Sequence, residues 1–477
     1  MKSFKILAVL ALAICVSTFA FAETQSVKIS GDLTFRALDR TQYSLANDDT
    51  PTGIDTTRAA TDHEAQFLMT QAEVQVDADL TDNVAATVRI YNQRDWGESI
   101  DNDATYHPNQ TVNKSAYDNI NIDLAYVQLK EFLYSPLTLT VGRQDIWIGK
   151  GFIVGANRRN PGNTIGAPEY TVSNSFDAVR ATLDYDPWTI DMIYSKISED
   201  IVQGEDDIDL YGVNVGYVFD SYNAEAEAYW MYKRDTDNQP NASKYINTVH
   251  TMGLRGSGDP VDWASLFAEG AVQFGQYVQN SAQNASSSRL AWAFDVGTEI
   301  TYFEDNYAWQ PKMGIEYIVY SGDVENTASR DAGSSKQYTG WDPMYRGKYD
   351  SKIREWIGTY YQTKQGASSA IGGLSDADDS RTNQQQLILS GSIVPYDGVT
   401  LDARYINFWQ QKATRLANTS DKRSAWLGQE LDLEVSWDYT EDVSCGFLAA
   451  WYFPGDHYDE ESVDVATDLV ATMAVSF

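Results

Sequence analysis

The sequence predicts a transmembrane antiparallel β-barrel of about eighteen strands. Three observations carry that expectation: apolar and polar residues alternate with period two along many segments, the connections sort into a short class and a long class, and the last strand ends on an aromatic residue.

The alternation is clearest in residues 224–230, where one face reads Ala224, Ala226, Ala228, Trp230 and the other Glu225, Glu227, Tyr229. Residues 431–438 and 33–37 alternate without exception. Such a pattern puts one face of a strand in an apolar medium and the other in a polar one. Read along the chain, it predicts strands at 27–38, 67–79, 84–95, 121–132, 137–148, 174–186, 187–199, 207–219 and 222–233. The remaining nine fall at 246–256, 262–275, 289–303, 308–320, 382–394, 398–411, 426–439, 442–453 and 464–477.

After even-numbered strands the connections are short: 80–83, 186–187, 220–221, 304–306, 395–398 and 440–441. After odd-numbered strands they are mostly longer: 39–66, 96–120, 149–173, 234–245, 276–288 and 321–381. Short turns at one end and long loops at the other suit a barrel inserted from the periplasm, and a soluble sandwich or β-helix has no reason to sort its loops. The short-turn ends carry Tyr185, Trp188, Phe219, Tyr222, Tyr302, Tyr307, Tyr396 and Tyr439. These account for part of the thirty tyrosines and thirteen tryptophans as an interfacial girdle.

The N-terminus assigns the compartment. Lys2 and Lys5 precede an apolar run over residues 6–16, and Ala20-Phe21-Ala22 offers a small-x-small cleavage site. Residues 1–22 are therefore expected to be a removed signal peptide and residues 23–477 the barrel, delivered to the cell outer membrane. Cys15 would suit a lipoprotein signal, but Ile14 is bulky where a small residue is wanted. Beyond Ala22 no apolar stretch approaches the roughly 18 residues a spanning helix needs. Cys445 is the one cysteine left, so no intrachain disulfide can form. The net charge is −33, and loss of Lys2 and Lys5 makes it −35, which excludes a nucleic-acid binder.

With apolar faces toward lipid, alternation turns Arg36, Arg89, Arg180 and Arg404 toward the lumen, each between two apolar or aromatic neighbours. A lipid-facing arginine would cost roughly 2–4 kcal/mol near the midplane. The same phase places Asp184, Glu225, Glu227, Glu269, Asp295, Glu299, Glu316, Asp432 and Glu434 inside. Inward Arg and Glu either pair across strands and solubilise the wall or form a charged filter. Arg143 breaks the pattern, because Val141 shares its face. The 149–173 connection, with Gly149-Lys150-Gly151 and Arg158-Arg159, either folds into the lumen or remains a solvated surface loop.

Several segments together resemble the alginate-export family of outer-membrane porins. They are Leu139-Thr-Val-Gly-Arg-Gln-Asp145, Asn174-Ser-Phe-Asp-Ala-Val-Arg180, Trp341-Asp-Pro-Met-Tyr-Arg-Gly-Lys348, Thr400-Leu-Asp-Ala-Arg-Tyr-Ile-Asn-Phe408, Leu427-Gly-Gln-Glu-Leu-Asp-Leu433 and Phe453-Pro-Gly455. In order they span residues 137–455. The resemblance implies a monomeric barrel that passes a polysaccharide across the outer membrane. It also implies a basic constriction to which Arg143, Arg180, Arg346 and Arg404 contribute, with Lys348 beside them. Arg36 and Arg89 join that set from alternation alone. Outer-membrane lipid, the barrel-assembly machinery that reads a terminal aromatic, an anionic or neutral saccharide and a periplasmic export scaffold are the partners it implies. The overall charge departs from the family's theme, although screening confines its repulsion to about 8 Å.

The expected activity is passive passage of a polysaccharide or small charged solutes, with a general porin as the alternative and no cofactor or metal. A barrel-embedded hydrolase wants a histidine paired with a serine or carboxylate. His63, His107 and His457 fall in or beside loops, and His250 has no acid in phase. An adhesin would work through loop 321–381, whose Asp376, Asp378 and Asp379 are too loosely spaced for a calcium loop.

Overall fold

The computed structural model describes residues 26–42, 64–96, 120–157, 167–199, 207–236, 246–279, 285–302, 307–323, 337–356, 382–413, 424–457 and 464–477. The expected signal peptide, Arg158, Arg159, His63, His107 and the Asp376–Asp379 cluster lie outside the described residues.

Eighteen strands form one sheet. They are β1 (Ser26–Thr41), β2 (Glu64–Thr81), β3 (Val84–Asp95), β4 (Asn121–Leu129), β5 (Leu137–Gln144), β6 (Phe176–Tyr185), β7 (Trp188–Ser198), β8 (Ile208–Val218) and β9 (Glu225–Asp235). The second half comprises β10 (Asn247–Val261), β11 (Ala264–Gln279), β12 (Ala285–Ile300), β13 (Lys312–Tyr320), β14 (Gln384–Tyr396), β15 (Val399–Gln410), β16 (Trp426–Asp438), β17 (Val443–Pro454) and β18 (Ala466–Ser476). Every strand pairs antiparallel with its sequence neighbours, and β1 pairs with both β2 and β18. The sheet therefore closes and leaves no edge, which is the condition for a β-structure to span lipid.

The closing seam runs from Asp32↔Ser476 to Thr41↔Thr467. Beyond it, the backbones of Gly31 and Phe477 exchange two hydrogen bonds of 2.9 Å. A Cβ at Gly31 would stand 2.6 Å from the Phe477 ring and 2.8 Å from the Glu73 carbonyl oxygen. The terminal aromatic is thus seated in a notch that only glycine provides. Gly31→Val is expected to lower the barrel's unfolding temperature, at an overpacking cost of about 1–3 kcal/mol. Heat-modifiable mobility on a gel measures this, and an unchanged transition would show that the notch does not hold the seam.

The outer face is apolar and banded by aromatics, as the alternation requires. Tyr194, Tyr211, Tyr232, His250 and Phe274 are successive cross-strand partners on β7–β11. Their rings lie 5.1, 5.8, 4.4 and 5.0 Å apart in turn. The eight aromatics expected at the short-turn ends are all exposed there. His250 accordingly belongs to an aromatic row on the lipid side.

The inner face departs from simple alternation. Much of it is buried and apolar, with Leu38, Met69, Ile193, Met231, Val249, Ala271, Ala291, Ile318, Ile388, Ile406, Leu448 and Val470 all under 10% exposed. These side chains form one cluster with Ile146, Phe152, Ile153, Val154, Trp341, Met344, Tyr345 and Ile353 from two connections. The reason is that these connections fold inward and give the wall something apolar to pack against, each fully buried side chain contributing about 1.5–3 kcal/mol.

Candidate functional site

Two stretches after β5 (residues 145–157 and 167–175) and one after β13 (337–356) occupy the barrel interior. Val154 bridges Tyr345 in parallel, joining the first and third stretches. Phe152 stacks on Tyr320 with ring centres 5.4 Å apart, and Phe176 meets Tyr345 edge-on at 5.8 Å. Of the two fates open to the 149–173 connection, its described part takes the inward one.

Polar groups from around the wall fasten this plug. Lys233 of β9 holds the Asp342 carboxylate at 2.6 Å, with Arg289 of β12 at 3.9 Å. Gln273 of β11 bonds both the amide and the carbonyl of Asp342, at 2.8 and 2.7 Å. Burial alone would raise the Asp342 carboxyl, but Lys233 and Arg289 outweigh it and hold it at about 2. Lys348 reaches Asp295 of β12 at 2.7 Å and pairs with Glu316 of β13. Glu430 of β16 accepts hydrogen bonds from the amides of Lys352, Ile353 and Arg354 at 2.7, 3.1 and 2.8 Å, and from the Ser351 hydroxyl at 2.9 Å. On the opposite side Gln93 of β3 bonds Thr171 and the Val172 amide, and Arg40 pairs with Glu169 and Asp468. Contacts to strands so far apart in sequence fit only a segment that lies inside the ring.

The six arginines singled out from sequence separate into distinct settings. Arg89 is held by Asp123 (Nε to Oδ2 2.7 Å), Asp145 at 3.3 Å and Glu73 at 3.5 Å. Arg180 pairs with Asp191 at 2.8 Å. Arg143 lies opposite Asp177 in the register and meets it at 3.4 Å, while its Nε bonds the Asp123 carbonyl at 3.1 Å. Its neighbours Thr140 and Gln144 carry the buried side chains of β5, so Arg143 alternates with them. Gly142 has a φ of 126°, which breaks the strand's regular pleat at that point. Arg346 is a plug residue, 3% exposed, bonded to Glu355 at 2.6 Å and to the Tyr320 hydroxyl at 2.8 Å.

Arg36 and Arg404 differ from these four. Arg36 donates to Gln71 and lies over the Tyr170 ring, 4.5 Å from its centre. Arg404 donates to the Asp350 carbonyl at 3.3 Å. Neither forms an ion pair among the described residues. Arg89 and Arg143 meet at Asp123, and Arg346 and Arg404 both meet the plug. Arg36 meets the plug as well, through Tyr170, and Arg180 stands apart.

Sequence reasoning did not single out Glu430, Asp342 or Lys233. Glu430 is in phase with Asp432 and Glu434, so period two contained that signal. For Asp342 the signal was its place in the Trp341–Lys348 segment. Lys233 carried none, because its partner lies in a distant connection.

A family model described as Alginate export matches residues 52–472. Solved structures from Pseudomonas aeruginosa share the architecture at low identity. OccK9 (OpdG) superposes with a TM-score of 0.55 at 12% identity, over 95% of this chain and 99% of that one. OccK11 (OpdR) gives 0.53 at 10% identity, covering 95% and 97%. OccK2 (OpdF), solved in complex with glucuronate, gives 0.52 at 11% identity, covering 95% and 99%. No curated protein matches the chain.

Proposed function

The chain belongs to the alginate-export family of outer-membrane β-barrels, and from that premise we propose that it is a passive channel for an anionic saccharide, selected by arginines of the barrel interior. The observation that carries the reading is the state of Arg36 and Arg404. Each guanidinium is held in position by neutral groups, and neither is spent on an ion pair among the described residues. A planar cation so presented suits a carboxylate, which it binds in a two-pronged fork. The relative that holds glucuronate has the same barrel architecture, and a uronate is the carboxylate-bearing sugar this reading favours. Arg89 and Arg180 set the field around the passage while already paired, and Arg143, on the opposite face of β5 from the buried Thr140 and Gln144, does not. Passage needs no turnover, so the protein acts as a conduit and not as an enzyme. We place it in the outer membrane as a monomer, released from a signal peptide ending at Ala22.

The acidic residues of β9–β13 favour a second reading, a general porin that admits cations and small solutes without regard to polymer. A planar bilayer separates the two. Block of the ion current by an oligouronate, at a concentration well below that needed for a neutral oligosaccharide of equal length, is the expected result. Equal block by both, or none by either, would remove the anionic-saccharide reading and leave the general porin.

A further inference from the structure

We propose that the indole of Trp147 is a stacking platform for a pyranose ring inside the lumen, an assignment that rests on the saccharide-channel reading above. Trp147 stands three residues beyond the end of β5, between Ile146 and Ile148, which are 1% and 7% exposed in the interior core. Trp147 itself is 53% exposed. Its neighbours on both sides are inside a closed barrel, so the open face of the indole looks onto the lumen and not onto lipid.

The ring is held, not loose. Its N–H donates to the Gly149 carbonyl at 3.0 Å. Its other face lies against the backbone of Gly151, Gly155 and Gly347, where a Cβ at Gly155 would come within 2.8 Å and one at Gly347 within 2.5 Å of the indole. Gly155 and Gly347 also approach one another closely, so the tryptophan covers the junction of the two connections that build the plug. The three glycines make a flat bed that no other residue type would leave.

A fixed aromatic face turned to water in a channel is an unpaired apolar surface with polar surroundings. Asp145, two residues away, is 54% exposed and shares Arg89 at 3.3 Å. Lys150 and Lys348 flank the same stretches of the plug, and both lie over the Phe267 ring. A pyranose fits this setting: its C–H face covers the indole while its hydroxyl edge, and a carboxylate where present, meet the charged groups around it.

The test is current block by oligosaccharides in Trp147→Leu and Trp147→Phe. Leucine fills the space above the glycines without an aromatic face, and phenylalanine keeps one. Roughly tenfold weaker block by both neutral and uronate oligosaccharides in the leucine variant, with block in the phenylalanine variant within about threefold of wild type, is expected from one stacked face. Undiminished block in the leucine variant would overturn the platform. Protease cleavage within the plug of the leucine variant would also overturn it, by assigning Trp147 to seating the plug. An unblocked wild-type channel would instead remove the saccharide reading itself, so the two failures are distinguishable.

Discussion

Removing Arg36 and Arg404 together is expected to turn the channel toward cations and to weaken oligouronate block by tenfold or more. The two guanidinium groups are the candidates that form no ion pair among the described residues, although Asp432 stands opposite Arg404 in the register. A unit charge at 4 Å is worth about 1 kcal/mol in water and about 4 kcal/mol at the effective dielectric of a partly buried site, and about 1.4 kcal/mol is a factor of ten in binding. Reversal potentials under a salt gradient, measured on Arg36→Ala/Arg404→Ala, report the selectivity. The matched control is Arg180→Ala/Asp191→Ala, which deletes an ion pair of 2.8 Å and leaves the net charge unchanged. It should shift the reversal potential little. Equal effects from both double variants would mean that selectivity follows wall geometry and not the two guanidinium groups that form no ion pair among the described residues.

Unfastening the plug should have the larger effect on current. Asp342→Asn/Glu430→Gln is expected to raise single-channel conductance several-fold and to open the 337–356 stretch to protease. Glutamine at 430 keeps one acceptor oxygen where glutamate uses two, and turns an NH2 group toward amides that need an acceptor. Leaving buried donors unmade costs about 1–3 kcal/mol each. Asparagine at 342 releases Lys233 and Arg289. An eighteen-stranded barrel without its filling is wide enough for an aqueous channel. If conductance and cleavage stayed as in wild type, the apolar contacts of Phe152, Trp341 and Ile353 alone would be holding the segment.

Acid is expected to leave the Asp342 fastening in place until pH is very low. The Asp342 carboxyl is held at about 2 in the folded protein, against an ordinary value of 3.8. A depressed carboxyl contributes stability that is present above the ordinary value and is lost as pH falls through the folded one. Conductance in the wild type should therefore be steady from neutral pH down to about 4, so far as the Asp342 pair governs it. Opening near pH 5 would show that another group controls the plug.

Strand positions were legible in the sequence because a barrel wall faces lipid on one side along its whole length. Period two follows directly from that, and segments such as 431–438 declare it residue by residue. The Gly31 notch for Phe477 was not legible, because it joins the two ends of the chain. Arg36, Arg89, Arg180 and Arg404 were found through their phase, but their partners were not. Asp123 sits in an irregularity between β3 and β4, where the register shifts at Arg89, so no alternation rule could have aligned it with that arginine. Trp147 falls within the strand expected at 137–148, but β5 ends at Gln144 and leaves it in a connection, and Arg346 was reached only through the family resemblance.

What the sequence determined by itself was the wall: strand number, order, the sorting of turns and loops, and the side facing lipid. These depend on local pleat and on a solvent that is uniform around the barrel. Only the tertiary structure decided what fills the wall. The inner face met no uniform solvent: part of it met water and charge, and part met Phe152, Trp341 and Ile353 arriving from distant connections. Whether an inward arginine is free or spent depends on those long-range contacts, and period two carries no record of them.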